Sequence, residues 1–193
     1  MRRERGQSMN TEMIIEKIRD SIENYEAFRE LALDIRFRKA EMQLYSWYEN
    51  VLGIHVYLFR FAEGINDDNL VETIVQCRLM KMAEMEEWKD DFWEVSRDDR
   101  LITLNATSFR DFDLIIKEVR LTPLETDEYL STVKYKISEY EPSEGNPPDI
   151  SDTICDIIRK SQNIELGGFY GLDHMCLSVS EDTILIVEYG VWD

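Results

Sequence analysis

Glycine and proline, the residues that mark flexible linkers, are scarce in this sequence. The chain has 8 glycines and 4 prolines among 193 residues. Low-complexity segments are rich in these residues, whereas the hydrophobic fraction of 44% and the aromatic fraction of 11% are globular values. A chain of this length buries roughly two thirds or more of its unfolded surface. We therefore exclude a disordered chain and expect a packed core.

Histidine and cysteine are also few. The two histidines, His55 and His174, cannot build a His-rich metal site. The three cysteines, Cys77, Cys155 and Cys176, are widely spaced and include no C-x-x-C pair. We expect reduced, mostly buried thiols in a cytoplasmic protein without a cofactor.

One cysteine lies close to a histidine in the sequence. In a strand, residues 174 and 176 share a face, so Cys176 could act as a nucleophile with His174 as its base. Spacing alone permits this pair but does not argue for it. A structural cysteine is the favoured interpretation. The chain also lacks the Gly-x-Ser-x-Gly, Walker and zincin motifs.

Basic residues are absent from positions 161–193, which carry six acids. The whole chain has a net charge of −18, and all of the excess lies after residue 60, since residues 1–60 hold ten bases and ten acids. Such a field repels nucleic-acid phosphate and anionic lipid and attracts basic proteins. We predict a basic protein partner, no direct nucleic-acid binding and no membrane binding; self-association stays open.

Apolar residues at helical spacing dominate the first third of the chain. They predict a first helix from Asn10 or Thr11 to about Leu33. The very apolar stretch that follows is interpreted as a second helix, from about Lys39 to Glu63. A strand over residues 54–61 is the alternative for part of it.

A third helix, from about Asn69 to Ser96, carries an unusual outer surface. At about 100° per residue, acids between positions 84 and 98 share one stripe, and Trp93 faces them. Like charges at this spacing repel one another and destabilise a helix. A cluster of them that brings no gain in packing is typical of a binding surface. The plainer interpretation is a solvated face with Trp93 covered by another element. The candidate partner-binding residues are Glu84, Glu86, Glu87, Asp90, Asp91, Trp93, Glu94 and Asp98.

Shorter elements are expected further along the chain. Residues 101–105 are a strand candidate, and Thr122 followed by Pro123 is typical of a helix start. Residues 129–140 fit a helix or a strand, and we favour the helix. A loop over residues 141–148 precedes a short helix capped by Asp149 or Ser151.

The last segment has the densest strand pattern. Residues 175–180 and 183–189 flank two acids that favour a turn, which predicts a β-hairpin. Leu185 and Val187 indicate that both faces of this hairpin are covered. The acids of this segment are expected to extend a negative surface: Glu181, Asp182, Glu188 and Asp193.

These patterns together predict an α+β fold. A helix-rich N-terminal part of three or more helices would pack with a small C-terminal antiparallel sheet that ends in the β-hairpin. Residues 1–8 are expected to be a disordered extension and residues 9–193 a single domain. Within the domain, residues 9–140 would be mainly helical, 141–148 a loop, and 149–193 a helix plus the hairpin.

The sequence favours an acidic cytoplasmic interaction protein that binds and masks a basic partner, as an inhibitor, an immunity protein or a nucleic-acid mimic does. An enzyme is the less favoured class, because no catalytic set is evident. One alternative is a small metal-dependent hydrolase that uses the carboxylates of Asp111, Asp113 and Glu118, or paired acids of the third helix. Another is a structural subunit of a larger assembly, anchored by four exposed tryptophans: Trp47, Trp88, Trp93 and Trp192.

Overall fold

The computed structural model describes residues 9–23, 38–50, 52–84, 93–95, 102–104, 120–167 and 174–191. In these residues the helices are α1 (Thr11–Glu23), α2 (Leu70–Glu84), α3 (Thr126–Glu139) and α4 (Ile150–Lys160). The strands are β1 (Ala40–Glu49), β2 (Leu52–Phe61), β3 (Trp93–Val95), β4 (Ile102–Leu104), β5 (Arg120–Pro123), β6 (Glu141–Pro142), β7 (Gln162–Gly167), β8 (His174–Val179) and β9 (Thr183–Val191).

A seven-stranded sheet is the centre of the fold. Its strand order is β5-β7-β8-β9-β2-β1-β6, and every pairing is antiparallel. The strands β3 and β4 pair separately. The predicted fold, helix-rich with a small C-terminal sheet, is therefore wrong. The sheet is large and takes strands from both halves of the chain.

Helices cover both faces of this sheet. Side chains alternate between the two faces of a strand, and β9 shows both sets: Ile184 and Ile186 pack in a core with α1 and α2, whereas Leu185 and Val187 pack in a second core with α3 and α4. The prediction that both faces of the closing hairpin are covered is confirmed. The described elements form three layers, helices on either side of the sheet.

The second predicted helix, Lys39 to Glu63, is a β-hairpin. The strands β1 and β2 pair from Ala40 opposite Phe61 to Glu49 opposite Leu52, which leaves a two-residue loop. Asn50 in that loop has a φ of 55°, a left-handed conformation that asparagine tolerates. Because most of β2 is buried on both faces, its sequence is a largely apolar run interrupted only by His55 and Arg60, like that of a buried helix. The alternative strand over residues 54–61 is confirmed.

The third predicted helix is also shorter than expected. The structure describes α2 from Leu70 to Glu84, and residues 93–95, predicted to continue it, form β3 instead. Pro123 likewise ends β5, and α3 begins three residues later, at Thr126. None of the helices in the described ranges is long and apolar enough to span a membrane.

Several local predictions are confirmed. The helix α1 begins at Thr11, and the Asn10 side chain caps it by accepting a 2.9 Å hydrogen bond from the backbone N–H of Met13. Residues 129–139 are helical, a short helix follows Asp149, residues 102–104 form a strand, and the closing hairpin is β8 and β9. The continuation of α1 to Leu33 lies outside the described residues.

Candidate functional site

A buried charged cluster lies between α2 and the sheet. The Lys81 Nζ donates a hydrogen bond to Glu188 Oε1, and the two side chains are 6% and 1% exposed. Glu188 follows Ile184 and Ile186 on the same face of β9, and Lys81 lies one helical turn after buried Cys77. The Lys81 ammonium also lies 5.2 Å from the centre of the Tyr57 ring. The predicted role of Glu188 in a negative surface is wrong, since this carboxylate is enclosed.

His55 completes this cluster from the neighbouring strand. It stands directly opposite Glu188 in the β2–β9 pairing, and its Nδ1 lies 3.3 Å from Ser46 Oγ. Burial lowers the pKa of His55 to about 4; the Glu188 carboxylate raises it, and the Lys81 ammonium lowers it by less. At neutral pH the ring is therefore uncharged. The cluster is a paired lysine and glutamate beside a neutral imidazole, which ties α2 to the sheet.

The opposite face of the sheet holds a neutral polar cluster. Burial raises the pKa of the Cys176 thiol to about 12, and it raises the pKa values of the Tyr129 and Tyr189 hydroxyls that neighbour it. The thiol is therefore protonated at neutral pH, which argues against the nucleophile considered for Cys176. The side chain of His174 lies outside the described residues. Cys176, Cys77 and Cys155 are all buried, free thiols.

The predicted partner-binding stripe is only partly within the described residues. Glu84 is the last described residue of α2, whereas Trp93 and Glu94 lie in β3, where the helical spacing that grouped them with Glu84 does not apply. The remaining five candidates lie outside the described residues: Glu86, Glu87, Asp90, Asp91 and Asp98.

The two alternative functions depend on three carboxylates and four tryptophans, and most of these residues are not described. The carboxylates of Asp111, Asp113 and Glu118 lie outside the described residues, as do Trp88 and Trp192. Trp47, predicted as an exposed anchor, is buried at 4% exposure in the core beside α3 and α4. In the described part of the chain, no three acid, histidine or cysteine side chains come together as metal ligands.

The surface of α3, α4 and their connection carries a concentrated negative charge. Residues 125–160 hold nine acids and four bases, a net charge of −5, and all nine acids are exposed. We call these nine side chains the acidic layer: Glu125, Asp127, Glu128, Glu139, Glu141, Glu144, Asp149, Asp152 and Asp156. The sequence prediction missed this layer as a unit because its acids are scattered over two helices and a loop.

One edge of the sheet adjoins the acidic layer. The short strand β6 pairs with β1 only at Trp47 and Tyr48, and beyond it the Ser46 carbonyl accepts hydrogen bonds from the Ser143 N–H (2.8 Å) and Asn146 Nδ2 (2.9 Å). No strand of the described ranges pairs with residues 40–45 on this side. We call residues 40–45 the open edge.

The backbone direction of the open edge follows from its hydrogen bonds. The Lys39 carbonyl accepts from the Ala62 N–H, so odd-numbered residues of β1 direct their N–H and C=O groups toward β2. The even-numbered residues Ala40, Met42 and Leu44 therefore direct theirs away from the sheet. The outward carbonyl of Ser46 fits the same alternation.

Apart from the charge of Glu41, the open edge lacks the devices that usually protect edge strands. Lysine, proline and bulges discourage the addition of a further strand, and residues 40–45 contain no lysine or proline and pair with β2 in unbroken register. Leu44 is 45% exposed there. The strand β5 at the other edge has only four residues and ends in Pro123. The prediction of a helix for this region hid the edge.

Comparisons of this chain with protein-family models, with curated proteins and with solved structures found no match. Function is therefore argued from two adjoining surface features, the open edge and the acidic layer. They meet at β6, where Glu141 belongs to the layer and pairs with Tyr48 of β1.

Proposed function

We propose that this protein binds and masks a basic partner protein, as an inhibitor, an immunity protein or a nucleic-acid mimic does. The observation that carries the proposal is the acidic layer, nine exposed carboxylates against four bases over two adjacent helices and their connection. Uncompensated surface charge of one sign accelerates encounter with a partner of the other sign and selects against like-charged ones. The net charge of −18 extends that selection over the whole chain.

The buried polar groups support the same function. The charges of Lys81 and Glu188 pair with each other inside the protein, and the Cys176 thiol is protonated at neutral pH. Among the described residues these groups serve the fold, and the proposal therefore rests on the exposed carboxylates. The three reduced thiols favour a cytoplasmic location.

Retrieval of partners with the tagged protein from its host tests the proposal. A layer variant, Asp149→Asn with Asp152→Asn and Asp156→Asn, removes three charges from the acidic layer. A control variant removes three exposed charges from α1: Glu12→Gln with Glu16→Gln and Asp20→Asn. Each variant replaces three acids by amides of nearly the same shape. The two variants therefore have the same net charge and differ only in the surface from which the negative charge is removed.

The expected result is a basic protein that is enriched at low salt, lost at raised salt and weakened by the layer variant more than by the α1 variant. Mass spectrometry identifies and quantifies the retained proteins. Absence of any basic partner contradicts the proposal. Equal loss in both variants would show that net charge alone, and no particular surface, attracts what is retained.

A further inference from the structure

We infer that the partner is bound through an extended basic segment that pairs as an additional strand with the open edge of β1. This inference rests on the proposed function and specifies how the partner is held. The outward N–H and C=O groups of Ala40, Met42 and Leu44 are the hydrogen-bonding groups that such a strand needs. Strand addition of this kind draws its affinity from the main chain and its specificity from alternate side chains.

The protein already places a strand of its own at this position. Glu141 and Pro142 form β6 on the outer side of β1, and the chain leaves the edge after the Ser143 N–H donates to the Ser46 carbonyl. A segment in line with β6 would continue along residues 40–45, a length of about 20 Å at the usual rise per residue. The edge therefore accepts strand geometry at one end, and none of the described strands occupies it along residues 40–45.

The side chains along the edge define the segment's pattern. Met42 packs partly against the core below α1 and α2, and Leu44 lies exposed on the same face, so the segment's residues beside them are apolar. Glu41 and Gln43 are exposed on the other face, where the Arg60 guanidinium donates to Gln43 Oε1. Apolar and polar residues therefore alternate in the segment.

Charge identifies the segment as basic. Arg60 lies opposite Glu41 in the β1–β2 pairing and offsets its charge, and exposed Lys39 flanks this end of the open edge. The attraction for a basic segment therefore comes from the other end, where the acidic layer begins. Glu141 lies in β6, Glu144 follows it by three residues, and both side chains are exposed. A second copy of this chain would bring another −18 to the same edge, which disfavours self-pairing.

Binding of labelled synthetic peptides tests the inference. The probe is a peptide of about six residues, the length of the open edge, with alternating lysine and valine and a fluorescent label. One control peptide has the same composition with its lysines and valines in two blocks. A second keeps the alternating order but carries N-methyl groups on alternate residues, which removes the N–H donors that face the edge. We expect the alternating peptide to bind about tenfold more tightly than either control.

Two protein variants locate the binding. Leu44→Lys puts a lysine on the open edge, the substitution with which natural edges resist strand addition. Tyr135→Lys on α3 is the matched control, because Leu44 and Tyr135 are both exposed apolar side chains, at 45% and 58%, and both changes add one positive charge. We expect Leu44→Lys to weaken binding of the alternating peptide about tenfold and Tyr135→Lys to weaken it less than about twofold. Circular dichroism verifies that both variants fold.

The outcomes separate this inference from the function on which it rests. If all three peptides bind equally, in a salt-sensitive manner that the layer variant weakens and Leu44→Lys does not, strand pairing is wrong and the acidic-surface function survives. If no peptide binds to the folded protein, strand pairing is wrong, and partner retrieval still decides the function. Self-association that Leu44→Lys abolishes would also overturn the inference, since a second copy would then occupy the edge.

Discussion

The protein has two groups of charged side chains, one enclosed and one exposed, and they differ in how the charge is balanced. Under α2, Lys81 and Glu188 pair with each other out of water. On α3, α4 and their connection, nine exposed acids face only four bases. Enclosed charge is tolerated only when it is paired, whereas exposed charge can stay unbalanced because water solvates it. The enclosed pair therefore belongs to the fold, and the proposed binding rests on the exposed excess.

The largest expected effect is the loss of one partner of the enclosed pair. Glu188→Ala leaves the Lys81 ammonium buried without its carboxylate and should lower the free energy of unfolding by about 3–5 kcal/mol. Asp156→Ala is the control: its pair with Arg159 is exposed, and its loss should cost less than about 1 kcal/mol. Urea unfolding measures both. Equal costs would mean that enclosure does not distinguish the two pairs.

The pH dependence of stability gives the next largest effect. The pKa of His55 is about 4 in the folded protein and near 6.5 when unfolded, so between these values the unfolded chain binds a proton that the folded chain does not. Stability should therefore fall by up to about 3 kcal/mol as the pH drops from about 6.5 to 4, with no further loss from this group below that.

Unfolding measured across that pH range in His55→Gln isolates the effect. The variant should lose this part of the pH dependence, because it has no imidazole at position 55 to take up a proton. The matched control is His174→Gln, which removes the other histidine of the chain. If the free energy of unfolding of His55→Gln changed with pH as steeply as that of the wild type, this pH dependence would not come from His55.

A smaller effect is expected on the opposite face, where the buried polar groups are neutral. The Tyr129 hydroxyl is buried beside Cys176 and Ser178, and Tyr129→Phe removes it without leaving a charge behind. The free energy of unfolding should change by less than about 1 kcal/mol, because this buried hydroxyl has no hydrogen-bond partner among the described residues. Thermal unfolding checks this value. A loss as large as that of Glu188→Ala would mean that the two faces do not differ as described.

The smallest effect on stability is expected in the acidic layer. The combined Asp149→Asn, Asp152→Asn and Asp156→Asn variant changes only exposed side chains and should alter the free energy of unfolding by less than about 1 kcal/mol. Partner binding at low salt should nevertheless weaken. Strong destabilisation of the variant would mean that these carboxylates stabilise the folded protein. They would then not differ from the enclosed pair in this respect.

The sequence correctly predicted secondary-structure elements that are determined by residues close together in the chain. The closing hairpin, the cap at Asn10 and the helix after Asp149 are of this kind. The hairpin of β1 and β2 was missed because burial on both faces removes the alternation that distinguishes a strand. The local signal for this hairpin is Asn50, a residue type that tolerates the left-handed conformation of a tight turn.

The two surface features and the enclosed pair depend on contacts between distant parts of the chain. Lys81 and Glu188 are 107 residues apart, and no local pattern pairs them. One signal was present: Lys81 follows Cys77 by four residues, on the apolar side of α2. The open edge could not be predicted, since an edge exists only once the order of strands in the sheet is known.

Residue-resolved amide hydrogen exchange of β1, with and without the alternating lysine–valine peptide, tests the central claim most directly. The N–H groups of Ala40, Met42 and Leu44 point outward and should become protected when the peptide binds. Those of Gln43 and Tyr45 face β2 and should be protected in both states, which provides an internal control. Unchanged exchange at the three outward residues under saturating peptide would contradict strand addition at the open edge.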